Sequence, residues 1–304
     1  MKTTLRTKLF ILLILPIVLC LSVGILVSTI KLRKNGEEAL INKSEAILSR
    51  MESVRTYVAG QNRLEGEIQH MKEMYPDGVI PEEEKLKLLK IVPIIASWTI
   101  GEDNASKDNY TFRISAKNPR NPKNKASEKD LEFLGEFEKG EKKTITYIDK
   151  ESNTVQVMRP VYLKSNEGCL KCHGEPANSP YMNGKDIVGF PMENYKDGEL
   201  RGMFVISSDR KPVQEQIWSS FLNITLWGLI IGTFAIIIGF LIIRNLNRQL
   251  GGEPATIAKI TRQIADGNLT LTLNSSGLKT GILGAVWDIG RKAEIYSYLC
   301  SSFS

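Results

Sequence analysis

Thr154-Val155-Gln156-Val157-Met158-Arg159-Pro160-Val161-Tyr162-Leu163 is the longest of four β-rich segments in a chain of 304 residues, the others being Tyr110 to Ser115, Thr144 to Asp149 and Arg201 to Ser208. Their β-branched and aromatic content, punctuated by turn residues such as Asp197-Gly198, predicts short strands. Upstream of them the pattern is helical. Leu40, Ile47 and Val54 recur every seven residues beside a companion row of Ser44, Met51 and Val58. That seam predicts a helix that pairs with a second copy of the chain, and in such a homodimer Met51 faces the partner. Beyond Asp77-Gly78 a second helix is expected from Pro81 through Trp98. Helices followed by antiparallel strands make an α+β domain.

Two apolar runs bracket this domain. Leu9 to Ile30 and Ile217 to Ile243 carry no charged residue over 22 and 27 positions. Each is long enough to cross a hydrocarbon layer of about 30 Å as a helix, which argues against a cytosolic protein. The first run exceeds a signal-peptide core, contains Pro16, and is followed by no small-x-small cleavage site, so it is expected to stay as an anchor. The net charge of +6 is confined to the ends: residues 1–8 contribute +3, residues 31–216 hold 30 basic and 30 acidic side chains, and residues 244–304 contribute +3. Basic flanks stay in the cytoplasm, which predicts a multi-pass inner-membrane protein with a cytoplasmic N-terminus (1–8), spans at 9–30 and 217–243, a periplasmic domain at 31–216, and a cytoplasmic segment at 244–304. Basic excess that reports topology gives no ground for nucleic acid as a partner.

Cys20 lies in the first span and Cys300 near the cytoplasmic end, which leaves Cys169 and Cys172 in the exported domain, directly followed by His173. Cys169-Leu170-Lys171-Cys172-His173 is the C-x-x-C-H pattern of c-type haem attachment. Two thiols on one helical turn reach the two vinyl groups, and the adjacent imidazole becomes the proximal iron ligand. A disulfide would leave His173 without a role, and a structural zinc site wants four ligands where this domain offers two Cys and two His. One covalent haem c is therefore expected. The distal ligand is open among His70, a methionine (Met51, Met71, Met74, Met158, Met182, Met192 or Met203), water and none, with Met51, His70 and Met71 singled out. His70 and Met71 fall in the polar stretch Glu65 to Met74.

The stretch Ile91 to Trp98, then Tyr110-Thr111-Phe112-Arg113, then Asn118-Pro119-Arg120-Asn121-Pro122-Lys123-Asn124, the haem motif, and Gly198-Glu199-Leu200-Arg201-Gly202 together resemble the periplasmic c-haem PAS-like sensor domain of some methyl-accepting chemotaxis proteins. The resemblance covers about residues 31–216 and implies a PAS-like antiparallel sheet with long N-terminal helices, haem on Cys169 and Cys172, His173 proximal, and a dimer. Arg120, in a Pro-punctuated loop, is a candidate partner for a haem propionate.

After the second span, Leu250, Ile257 and Ile264 form one heptad row and Leu246 and Ile260 another, interrupted at Gly252-Glu253-Pro254, and Ala265-Asp266-Gly267-Asn268-Leu269 reads as a helix stop before an extended connector. This resembles a HAMP relay. Its second helix, from Thr280, is expected to be cut short because Trp287 to Ser304 keeps no clean heptad and Cys300 to Ser304 does not read as helix. No phosphoacceptor His exists on the cytoplasmic side, so the chain needs a cytoplasmic signalling partner or a missing output domain. The expected function is a membrane-bound haem sensor, chemoreceptor-like, that detects redox state or a small ligand such as NO or CO. A membrane-anchored monohaem electron carrier is the alternative, and no catalytic constellation points to an enzyme.

Overall fold

The computed structural model describes residues 5–103, 105–251, 254–267 and 281–302. The chain divides into two compact units, Met1–Lys31 with Ile217–Ser304, and Leu32–Gln216.

Unit 2 holds the strands. The second part of α1 (Leu5–Gly60) is followed by α2 (Arg63–Met74), α3 (Glu82–Ile91), α4 (Pro93–Glu102), β1 (Tyr110–Ser115), α5 (Glu128–Glu138), β2 (Ile145–Asp149), β3 (Thr154–Tyr162), the short α6 (Leu170–His173), β4 (Leu200–Asp209) and the start of α7 (Lys211–Leu250). The four strands form one antiparallel sheet in the order β1-β4-β3-β2. All four expected strands are present, within two residues at every end. Pro160 is tolerated inside β3 because β2 pairs only with Thr154 to Met158, so no ladder bond to β2 is lost.

Side-chain alternation gives the sheet two apolar faces. On one, Phe204 and Ile206 of β4 and Val155, Val157 and Val161 of β3 meet Leu48 and Met51 of α1, with Ile94 and Trp98 of α4 packed alongside. On the other, Met203, Val205 and Met158 meet Phe133, Leu134 and Phe137 of α5. A third cluster joins Leu64, Ile68 and Met71 of α2 to Leu88 of α3 and Ile187.

Several expectations need correction. The heptad seam of α1 is spent on its own domain: Met51 is fully buried, Ser97 Oγ donates to its carbonyl at 2.8 Å, and Ser44 Oγ meets Ser208 Oγ at 3.1 Å. Met51 therefore does not face a partner. The helix expected over Pro81 to Trp98 is two helices, because Pro93 forces Val92 into an extended conformation at φ −69°, ψ 121° and then starts α4 as its first residue. The polar stretch Glu65 to Met74 is amphipathic helix, burying Leu64, Ile68 and Met71.

Helix α5 was not anticipated from sequence, although its start is well marked. Ser127 accepts from the Asp130 amide at 3.1 Å while Asp130 Oδ2 accepts from the Ser127 amide at 3.2 Å, a capping box closed by Asp in place of the usual Glu. Arg113 also grips Asp130 through two hydrogen bonds of 2.7 and 2.8 Å, and Ser115 Oγ donates to it at 3.0 Å. Burial would push the Asp130 carboxyl up, but Arg113, Ser127 and Ser115 outweigh it and hold the group below its ordinary value of 3.8. A depressed folded pKa gives stability that is complete above the unfolded value and lost as pH falls through the folded one. Asp130→Asn is thus expected to cost about 1–3 kcal/mol at neutral pH and to flatten the acid limb of a stability-versus-pH curve, followed by urea unfolding at stepped pH.

Unit 1 holds the remainder of α1 and α7, then α8 (Pro254–Ala265) and α9 (Gly281–Ser302). Among the described residues, two helices are long and apolar enough to cross a membrane, Thr7–Gly60 and Lys211–Leu250. Within the unit α7 meets α1 through glycines: Leu21 against Gly228 and Leu13 against Gly239 fill the space a Cβ would take, and Ile17 touches Gly232. Such small-residue stripes let apolar helices approach closely. Helix α8 packs on α9, with Ile257 and Ile260 buried, and stops at a turn where Gly267 takes φ 79°. Helix α9 continues to Ser302, so the segment from Trp287 is helical although its heptad is lost. Gly252, Glu253 and the connector at 268–280 lie outside the described residues, as do Phe303 and Ser304.

Candidate cofactor cavity

The cysteine motif forms one helical turn between two tight corners. Gly168 adopts φ 77°, and Leu64 of α2 lies 2.8 Å from the position its Cβ would occupy, so a larger residue meets both backbone strain and a packed side chain. The turn is closed by the His173 amide donating to Cys169 O at 3.0 Å and the Gly174 amide donating to Leu170 O at 3.0 Å. Cys169 and Cys172 are free thiols rather than a disulfide. Burial, with Asp186 adding to it, pushes the Cys172 thiol up to about 12.

His173 is oriented by a carboxylate. Its Nδ1 lies 2.6 Å from Glu193 Oε2, and a proton on Nδ1 leaves Nε2 as the ring nitrogen with a free lone pair. Burial would raise the Glu193 carboxyl, but His173 and Arg120 hold it down at about 2. Arg120 is the clamp of this corner: Nη1 donates to the fully buried Asp186 at 2.6 Å, Nε and Nη2 donate to Glu193 at 3.1 and 3.0 Å, and Nη2 also reaches the carbonyls of Cys172 and Pro191 at 2.8 and 3.1 Å. The residue singled out as a propionate partner thus sits on the cavity wall with most of its donors engaged by the protein. Asp186 closes the loop by accepting from the Val188 and Phe190 amides at 3.1 and 2.9 Å.

Behind the turn lies a cavity of about 430 Å³, within the range of cofactor sites. Its walls are the sheet face at Ile114, Val161 and Phe204, the α3–α4 corner at Leu89, Val92, Ile94 and Trp98, and the motif itself with Cys169, Cys172 and His173. Arg201 also lines it, donating through Nη1 to Asn118 O at 3.0 Å, while its Nε is a buried donor with no acceptor. Among the described residues, no second histidine lines this space. His70 is exposed on α2, Met71 packs with Leu64 and Ile68, and Met51 lies beneath the sheet against Gly101. Met203 borders the cavity, yet its side chain packs with Phe133 and Phe137 on the opposite sheet face.

The family model described as Tll0287-like (Tll0287) matches residues 33–208, more than half of the chain. The chain belongs to the Tll0287-like family. The Tll0287-like region lies within unit 2, and the residues that line the cavity, Arg55 to Phe204, all fall inside it. A search of curated proteins returned no match. Among solved structures, the crystal structure of the cyanobacterial haem protein Tll0287 is similar at 17% identity and a TM-score of 0.39, covering 56% of this chain and 94% of that one.

Among the residues at or against the cavity, the sequence reading did not single out Glu193, Asp186, Arg55 and Glu167. Acidic side chains 13 and 20 positions after His173 carry no local signature, since it is the return of the 185–193 loop onto α6 that brings them to Arg120 and His173. Arg201 stood in the Gly198 to Gly202 stretch without a role attached.

Proposed function

We propose that the domain at 31–216 is the periplasmic, PAS-like sensor of an inner-membrane protein, holding one haem c by thioethers at Cys169 and Cys172 with His173 as proximal ligand. The observation that carries this reading is the thiol-thiol-imidazole turn on the wall of a largely apolar cavity, with the imidazole tied to Glu193. The donor set fits: two free thiols on one turn, one oriented imidazole, apolar walls, and an orphaned buried donor at Arg201 Nε suited to a carboxylate edge. When bound, haem supplies an iron that changes oxidation state and takes up small ligands such as NO or CO. The chain's residues would hold the His173 imidazole in one tautomer through Glu193 and present Trp98, Phe204 and Val161 as apolar wall to the group, and among the described residues no second histidine lines the cavity.

The relay beyond the sensor is the second part of the proposal. The apolar segments of α1 and α7 cross the inner membrane with both termini cytoplasmic, and α8 and α9 act as a HAMP pair that hands the signal to a cytoplasmic partner or output domain, in a chemoreceptor-like homodimer. The helical pair after the second apolar helix supports a sensor over an electron carrier, which has no use for a cytoplasmic relay. The protein is not proposed to be an enzyme.

Adding CO to the reduced full chain in detergent is the discriminating experiment. A CO-dependent change in the Soret band supports the sensor reading. A low-spin six-coordinate spectrum that CO leaves untouched supports electron transfer instead. Glu193→Gln is expected to weaken the proximal bond about tenfold and to raise the midpoint potential, because His173 loses the anion that makes its ring electron-rich. Spectroelectrochemical titration reads that shift.

A further inference from the structure

Arg55 and Glu167 line both the haem cavity and a polar cleft bordered by Glu52, Arg159 and Lys164. Arg55 belongs to α1 and Glu167 to the turn two residues before Cys169. Their side chains retain 9% and 6% exposure and form an ion pair. Arg55 Nη2 also donates to the Tyr162 carbonyl at 2.8 Å and stands 3.6 Å from Cys169 Sγ, while Glu167 Oε1 accepts from Lys164 at 3.0 Å. The other polar contacts of this stretch of α1 run elsewhere, Glu52 to Arg159 and Ser44 to Ser208. Arg55 is thus the α1 side chain, among the described residues, with a polar contact to the cysteine-bearing segment.

A buried pair of this kind is expensive to desolvate, and an apolar pair of similar volume would often be as stable. Its position suggests a use. One electron passed from an external one-electron donor to ferric iron leaves the cavity one positive charge lower, with no bond made or broken. The cation Arg55 and the anion Glu167 respond to that change with opposite sign. Coupling is reciprocal, so whatever alters the hold of α1 on Arg55 alters the redox equilibrium by the same factor.

We infer that the Arg55–Glu167 pair is the positioning contact through which the redox state of the cavity is felt by α1. This deepens the haem reading and rests on it. The test uses the full chain, haem-loaded, in detergent, as wild type, Arg55→Gln, Arg55→Lys, Glu167→Gln and the double Arg55→Gln/Glu167→Gln. The midpoint potential is expected to fall in Arg55→Gln, rise in Glu167→Gln and lie between them in the double variant, with Arg55→Lys closer to wild type than Arg55→Gln. Amide hydrogen exchange at residues 48–58 is expected to differ between oxidised and reduced wild type, and to lose that difference in Arg55→Gln. Potentials that move in the same direction in both single variants, or an exchange difference that is absent from loaded wild type or survives in Arg55→Gln, overturn the inference alone. Wild type without covalent haem, shown by its pyridine haemochrome spectrum, overturns the haem reading and the inference together.

Discussion

The double variant Cys169→Ala/Cys172→Ala, made in cells that assemble cytochromes c, is expected to show no haem-associated band on a denaturing gel, where the parent chain shows one. The motif turn is held by backbone hydrogen bonds from His173 and Gly174 that do not involve sulfur, so the substitutions leave its shape intact. Gly168, Leu64, Asp186 and Arg120 are equally untouched. The loss therefore reports covalent chemistry at two thiols rather than collapse of the cavity. Either cysteine alone is expected to keep a single thioether and a reduced band. A full-strength band in the double variant would mean attachment elsewhere in the chain.

Asp186→Ala is expected to destabilise unit 2 by about 3 kcal/mol, the scale for removing one partner of a buried ion pair. The Asp186 side chain has no exposure, and it satisfies Arg120 Nη1 and the amides of Val188 and Phe190 at once. Removing it leaves Glu193 as the carboxylate on Arg120, beside the Cys172 and Pro191 carbonyls, and frees the 185–193 loop that carries the Glu193 partner of His173. Asp186→Asn keeps an acceptor for the two amides and is expected to recover part of the loss. Urea unfolding of the full chain in detergent, read by tryptophan fluorescence, gives both values. Equal stability of Asp186→Ala and parent would show that the loop is held by its apolar residues, Ile187 and Val188, instead.

Much of the sheet was legible because strand signals are local. Val155, Val157 and Val161 declare a buried face within ten residues, and Tyr110 to Ser115 is bounded at both ends by turns. The α1 seam was legible as a helix but not as to its partner, since a heptad row describes an apolar stripe and says nothing of what covers it. In the fold, the sheet and α4 cover it. The α3–α4 break carried a signal that the apolar run Ile94-Ile95 obscured, namely Pro93, and α5 carried its own in Ser127 and Asp130. At the cavity, the thiols and His173 are contiguous in sequence and were found at once. Arg55, Glu167, Asp186 and Glu193 converge only through tertiary packing, so no spacing rule points to them. Arg120 read from the sequence as a candidate propionate partner, and in the fold it pairs with two carboxylates of the protein, Asp186 and Glu193.

Mass spectrometry of the full chain, from cells competent in cytochrome c assembly and digested to peptides, addresses the covalent site directly. One haem added to the peptide that contains Cys169 and Cys172, with Cys20 and Cys300 unmodified, is the expected result. An unmodified peptide, or one lighter by two hydrogens from a Cys169–Cys172 disulfide, would contradict it.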